Sequence, residues 1–293
     1  MEIGFLGLGI MGRHMAGHLI EGGHQVFTAI HKTPAAPELL DKGLSVLETP
    51  EEVASQAQII ITIVPDTPEV EQVLFGEHGV AGGLSPGKTV VDMSSISPIA
   101  TREFAERIAA LDCDYLDAPV SGGDVGAEAG TLTIMVGGPD ATFCRVKPVL
   151  ELMGKTVTHI GPNGDGQTAK LANQIIVALT IEAVAEGLLF ASKAGADPVK
   201  VREALLGGFA SSRILEIHGE RMIKRDFEPG FRIDLHRKDL NNALSGARAL
   251  GLALPNTATA QELFNACVAR GGGGWDSSGI IRALEAMANH ELG

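Results

Sequence analysis

A GxGxxG turn directly after a short apolar strand, strand and helix patterns alternating to about residue 160, and helical periodicity alone thereafter predict the architecture. It is an α/β, Rossmann-type N-terminal domain over 1–162 and an all-α C-terminal domain over 163–293, joined by a long interdomain helix. A chain of 293 residues with 45% hydrophobic content has enough apolar material for two cores. The net charge, 23 − 36 = −13, and the absence of any basic run argue against a nucleic-acid partner. Three cysteines without paired spacing suit a reducing compartment and supply neither a disulfide framework nor a zinc site. The start, MEIGFLGLG, lacks a basic leader region, and no apolar run reaches the roughly 18 residues of a membrane span. A cytoplasmic protein is expected.

Residues 2–8 form the first strand, and Gly7-Leu8-Gly9-Ile10-Met11-Gly12 follows it into a helix that Gly22 and Gly23 stop. Gly7 permits a tight turn, Gly9 lets backbone approach a pyrophosphate, and Gly12 allows close packing of helix on strand. The bland alternative is a plain glycine turn. The order strand, glycines, helix favours a dinucleotide. The next strand, 25–30, ends in His31-Lys32-Thr33, with no acidic residue to bond a free ribose 2′-hydroxyl. Lys32 and Thr33 suit a 2′-phosphate, a lean towards NADPH over NADH, although a solvated turn reads equally well.

A helix opens at Thr49-Pro50, and 58–64 is a β-branched run suited to a central parallel strand. It ends at Val64 and Pro65, at a strand C-terminus where open α/β sheets bind ligands. A short helix over 68–75 and a strand over 89–93 follow, the strand ending at Ser95 beside the helix start Ser97-Pro98. Ser97 reads as a cap and Ser95 as a cofactor contact. A strand from Asp114 runs into Ser121-Gly122-Gly123, where unobstructed N–H groups beside a hydroxyl suit a carboxylate; a glycine-rich hairpin is the alternative. Gly126 and Gly130 then lead into a strand over 131–136. Asp140 caps a helix to about Met153, and 156–160 is the last strand.

From Gln167 the pattern is one helix to Ala194, closed at Gly195; about 28 residues span about 42 Å, enough to bridge two domains. Lys170, Asn173, Gln174 and Val177 share one face. Such residues are commonly a solvated face. The preceding glycine loop brings this turn towards the nucleotide domain instead, and the positive end of the helix dipole lowers a lysine pKa, which suits proton exchange near neutrality. The remaining helices are 198–206 after Asp197, 211–224, 234–250 carrying Lys238, 255–270, and a last one capped by Asp276 and Ser277. The run 271–274 reads as a lid or a linker. His14 and His18 have metal-compatible spacing without a third ligand, so no metal is expected.

The blocks FLGLGIMGRHMAGHL (5–19), DAPVSGG (117–123), GDGQTAKLANQ (164–174) and PGFRIDLHRKDL (229–240) resemble the β-hydroxyacid dehydrogenase family over essentially the whole chain. KLANQ with RIDLHRKDL looks most like its tartronate semialdehyde reductase branch. The resemblance implies reduction of 2-hydroxy-3-oxopropanoate to glycerate with NAD(P)H. It makes Lys170 the proton donor with Asn173 beside it, and puts the substrate carboxylate on Ser121, Gly122 and Gly123. Cofactor contacts run along 7–12 and at Ser95, and Lys238 is a basic residue from the helical domain. Both domains would close over the site, and the family's assemblies imply self-association. His31-Lys32-Thr33 departs from the family's usual residues. The alternatives are the same chemistry on 3-hydroxyisobutyrate or a serine-like acid, or a non-catalytic nucleotide-binding scaffold.

Overall fold

The computed structural model describes residues 1–30 and 34–292; His31, Lys32 and Thr33 lie outside the described residues. The chain divides into two compact units, Met1–Lys170 and Leu171–Gly293. The first is built on β1 (Glu2–Leu6), β2 (Gln25–Ala29), β3 (Ser45–Leu47), β4 (Ile59–Thr62), β5 (Thr89–Asp92), β6 (Asp114–Asp117), β7 (Val120–Ser121), β8 (Leu132–Gly137) and β9 (Gly154–Gly161). Their order is β3-β2-β1-β4-β5-β6-β8-β7, with β9 paired to β8. The pairs from β3 through β6 are all parallel, whereas β8 runs antiparallel to both β6 and β7.

Alternate residues show why β4 reads as a continuous apolar run. Ile59 and Ile61 join one core with Ile3, Phe5, Met15 and Leu19, while Ile60 joins another with Leu6, Val53 and Val70. Helices therefore cover both faces of the sheet, as parallel pairing requires. The core comes close to the backbone at Gly4, where a Cβ would lie 2.5 Å from Val53 Cγ1.

Several local expectations change. Residues 123–128, read as part of a glycine loop, form a helix, Gly123–Glu128. Its one and a half turns are too short to show periodicity. Asp140 is the first helical residue rather than the cap of Asp140–Leu150; Pro139 precedes it, and Asp140 Oδ1 lies 2.9 Å from His159 Nδ1. Ser212, not Ser211, caps Arg213–Lys224 by accepting from Leu215 N. Helices Pro37–Asp41 and Val80–Gly83 and strand β3 carry too few residues to be read from pattern.

The second unit is helical. The helix Asp165–Lys193 is continuous across the division, and Ala178, Ile181, Ala185 and Leu188 form its buried stripe with Met222, Ile233, Leu240, Phe264 and Ile281. It is also long and apolar enough to cross a membrane by length and composition, with a mean hydropathy of 1.9 over 18 residues, where the sequence was expected to hold no such run. Alanines and scattered amides hide that run from inspection. Glu182 and Glu186 lie in its middle, and a carboxylate at a bilayer centre costs about 3 kcal/mol. Within 271–274 the two middle glycines are packed: a Cβ on Gly272 would lie 2.3 Å from the Trp275 ring, and one on Gly273 2.5 Å from Asp234. Asp276 caps a 3-10 turn, Ser277–Ile280, that leads into the last helix, Ile281–Ala288.

Candidate active site

In the first unit the turn Gly7–Gly12, Val64, Pro65 and Ser95 lie where parallel strands end. After β1, a Cβ on Gly7 would sit 2.1 Å from Ile63 O, and one on Gly12 1.9 Å from Gly7 O, so turn and helix pack as closely as glycine allows. Gly9 differs, because a Cβ there meets nothing within 4 Å. Among the described residues no packing demands that glycine. The open space beside it, at a helix N-terminus, fits a pyrophosphate approaching the backbone. Leu8 and Met11 pack on the core while Ile10 is exposed. After β4, Val64 N donates to Ser94 Oγ at 2.9 Å, so the loop holding Val64 and Pro65 is tied to the loop holding Ser95.

Below those loops lies a buried polar layer that the sequence did not announce. Register pairs Asp92 on β5 with Asp117 on β6, two carboxylates side by side at 0% exposure. Asp92 accepts from Thr62 Oγ1 at 2.9 Å, Ser94 N at 3.1 Å and the Tyr115 hydroxyl at 3.3 Å. Burial pushes its pKa up, its hydrogen bonds oppose that, and the neighbouring Asp117 adds to the rise. Asp117 is also shifted upward by burial, against the pull of the Gly164 and Gln167 amides. Burial raises the Tyr115 phenol well above its ordinary value, reinforced by both carboxylates.

The start of the long helix is fastened to this layer. Gly164 N donates to Asp117 Oδ1 at 2.8 Å and Gln167 N to Asp117 Oδ2 at 2.9 Å. The buried Gln167 side chain accepts from Ile96 N at 3.0 Å and donates to Ser94 O at 2.7 Å, clasping the loop around Ser95. Lys170 follows three residues later, 6% exposed, so it does not belong to a solvated face. Ser121 ends β7, and the left-handed φ of Gly122 and Gly123, 137° and 64°, explains both glycines.

In the second unit, Asn173 donates to Gln174 Oε1 at 2.8 Å. The buried Gln174 donates to Asp239 Oδ2 at 2.6 Å, and Lys238 Nζ lies 2.9 Å from Asp239 Oδ1. His236 is buried between Ser277 Oγ, 3.1 Å from Nδ1, and Gln174 O, 3.3 Å from Nε2. Asp117, Gln167 and Asp239 were given no role from sequence, and Gln174 was noted only as sharing the face of Lys170. Gln167 and Gln174 flank the singled-out lysine on its own helix and were legible there; Asp117 and Asp239 acquire meaning only through tertiary contact. Among the described residues no group of three or more His, Cys, Asp or Glu is disposed to hold a metal. His18 Nε2 instead lies 2.9 Å from Ala127 O and 3.0 Å from Glu128 O.

The chain resembles known proteins over its whole length. Residues 2–161 match the family model for the NAD-binding domain of 6-phosphogluconate dehydrogenase, and residues 164–284 that for the NAD-binding part of NADP-dependent 3-hydroxyisobutyrate dehydrogenase. The 2-hydroxy-3-oxopropionate reductase of Escherichia coli K12 is 63% identical over 295 residues, covering 100% of both chains. Among solved structures, the 3-hydroxyisobutyrate dehydrogenase of Mycobacterium tuberculosis with L-serine superimposes with a TM-score of 0.87 at 32% identity, over 96% of this chain and 98% of the other. That of Salmonella typhimurium gives 0.86 at 32% identity, with the same coverage.

Proposed function

The chain is an oxidoreductase of the β-hydroxyacid dehydrogenase family, and from that premise we propose that it reduces 2-hydroxy-3-oxopropanoate to glycerate, with NADPH preferred over NADH. The observation that carries the reading is Lys170, a lysine only 6% exposed, one turn inside a helix whose first amides are fastened to the end of β6. A lysine held in a buried position can bond a substrate oxygen and pass it a proton. The full-length 63% identity to a reductase of this substrate supports the choice of acid.

When bound, the dinucleotide supplies the hydride, which goes to the aldehyde carbon. The residues that would hold it are Gly7, Gly9 and Gly12 for the pyrophosphate, Val64, Pro65 and Ser95 at the neighbouring strand ends, and Lys32 with Thr33 for a 2′-phosphate. The Ser121 hydroxyl and the amides of Gly122 and Gly123 hold the substrate carboxylate. The Lys170 ammonium bonds the aldehyde oxygen, stabilises the charge developing there and donates its proton, so the product leaves as the alcohol and the neutral amine is reprotonated from water. Asn173, one turn along the same helix, orients that amine, and Lys238 is the basic residue the helical domain would supply for the cofactor. We place the enzyme in the cytoplasm as a self-associating protein, its exposed Ile176 and Phe190 on the long helix being apolar side chains for a second copy to cover.

The test compares kcat/KM in one direction, oxidation of glycerate, 3-hydroxyisobutyrate and L-serine with NAD+ and with NADP+, beside reduction of 2-hydroxy-3-oxopropanoate by NADH and NADPH, for the wild type and Lys170→Ala. Lys170→Ala should keep cofactor affinity and lose at least about a hundredfold in kcat. A preference above about tenfold for either rival acid overturns the substrate, and full turnover without the lysine overturns the mechanism.

A further inference from the structure

The long helix has no side-chain cap of its own. Its first helical residue is Asp165, and the residue before it, whose carbonyl accepts from Thr168 N at 2.9 Å, is Gly164. Gly164 has a φ of 91°, where a side chain is strained. A capping box normally uses two side chains: one at the cap bonds the N–H three residues on, and one at that third position returns to the cap N–H. Here a single carboxylate from another strand makes both bonds. Asp117 Oδ2 takes the Gln167 N–H, the third-position amide, and Asp117 Oδ1 takes the Gly164 N–H, the cap's own amide.

The neighbouring glycines are what this arrangement requires. A Cβ on Gly166 would stand 2.5 Å from Met135 O, 2.7 Å from Asp117 O and 2.8 Å from Asp117 Oδ2; one on Gly137 would stand 2.6 Å from Asp117 Oδ1. Stripping the turn of side chains lets it sit against the strand ends. Gln167, the residue so capped, uses its own amide group to hold Ile96 N and Ser94 O.

We propose that Asp117 and Gln167 are positioning residues for Lys170: Asp117 caps the lysine's helix from the adjoining strand, and Gln167 locks that capped turn to the 94–96 loop that carries Ser95. The inference rests on the reading of Lys170 as proton donor. Reaction needs the proton donor held to within a fraction of an ångström, and a small misplacement of a catalytic group costs up to about a hundredfold. Losing a cap frays the first turn of a helix, and Lys170 lies just beyond that turn. Both oxygens of Asp117 accept, so the ionised carboxylate is the competent form. An asparagine keeps the shape and offers one acceptor where two are needed.

Steady-state reduction of 2-hydroxy-3-oxopropanoate, cofactor affinity from nicotinamide fluorescence, and amide hydrogen exchange over 164–170 are measured for the wild type, Asp117→Asn, Gln167→Met and Lys170→Ala. With Lys170→Ala inactive, Asp117→Asn should lower kcat at least tenfold, leave the cofactor Kd within about threefold and speed exchange over 164–170. Gln167→Met should repeat the pattern more weakly and decides the matter if Asp117→Asn does not fold. A kcat within twofold of wild type in whichever variant folds, with Lys170→Ala inactive, overturns the positioning role and leaves Lys170 as the donor. Substantial turnover by Lys170→Ala overturns the mechanism and this inference with it.

Discussion

Asp117 in the first unit and Asp276 in the second are buried carboxylates with the same local task and opposite electrostatics. Each gathers backbone amides from a turn: Asp117 those of Gly164 and Gln167, Asp276 those of Gly230, Phe231 and Ser278. Asp276 also faces Arg221 at 3.0 Å and His218 at 3.2 Å. Burial pushes both pKa values up. It prevails at Asp117, whereas the bonds from His218 and Ser278 carry Asp276 well below the usual carboxylate range. A carboxylate held by amide dipoles remains costly to ionise, and one that adds cationic partners is pinned in its charged form. The first arrangement sits under the proposed proton donor; the second is a structural staple in a helical scaffold.

The largest effect that would break this contrast is on stability. Asp276→Ala should cost about 3 kcal/mol in denaturant unfolding, because Arg221 and three amides lose their partner together. The folded fraction should keep kcat within about threefold. A loss under about 1 kcal/mol would show that the staple is dispensable. Next in size is a pair of glycines. Gly166→Ala forces a Cβ to within 2.8 Å of three oxygens around Asp117, an overpacking worth about 2 kcal/mol, with a fall in kcat beyond the stability loss. Gly230→Ala, beside Asp276, meets its nearest atoms at 3.6 Å and should shift the melting temperature by no more than about 2 °C. Equal responses would mean that the two turns are equally tight.

The smallest expected effect is in pH. The folded pKa of Asp276 lies below its ordinary 3.8, so its stabilisation is complete above about pH 5, starts to fall as the pH drops below 3.8 and is lost as the pH falls on through the lower folded value. Asp92 and Asp117 are shifted upward. Ionising them is harder in the folded than in the unfolded chain, so the cost to stability builds as the pH rises from 3.8 to the folded values, and acid relieves it. Hydrogen exchange corrected for intrinsic rates, taken from pH 6 to 3.5, should therefore show protection lost first around 213–232 and 276–285, and retained longer over 89–117. The reverse order would contradict the assigned directions.

Much of the fold was legible because its signals are local. β4 is an unbroken β-branched run, Ser97 and Asp197 precede helix-starting prolines and cap them, and Gly7, Gly9 and Gly12 follow an apolar strand. Candidate positions at strand ends followed from the same alternation. The direction of β8 did not, since alternation within a strand carries no record of its partner's polarity. The helix Gly123–Glu128 hid behind its glycines, which read as loop. Asp117 was passed over as an ordinary strand end, because its meaning depends on Gly164 and Gln167, 47 and 50 residues further along.

That separation bears on the order in which the molecule assembles. An isolated helix frays from its ends and gains its first turn through local capping. This one cannot, since its cap belongs to a strand that must first enter the sheet. Asp117 leaves the ribosome well before Gly164, so β5 and β6 can present a finished socket when the helix arrives. The turn beside Lys170 is then among the last pieces of the first unit to settle. Closing it across 47 residues is a long-range step, slow by comparison with helix formation itself.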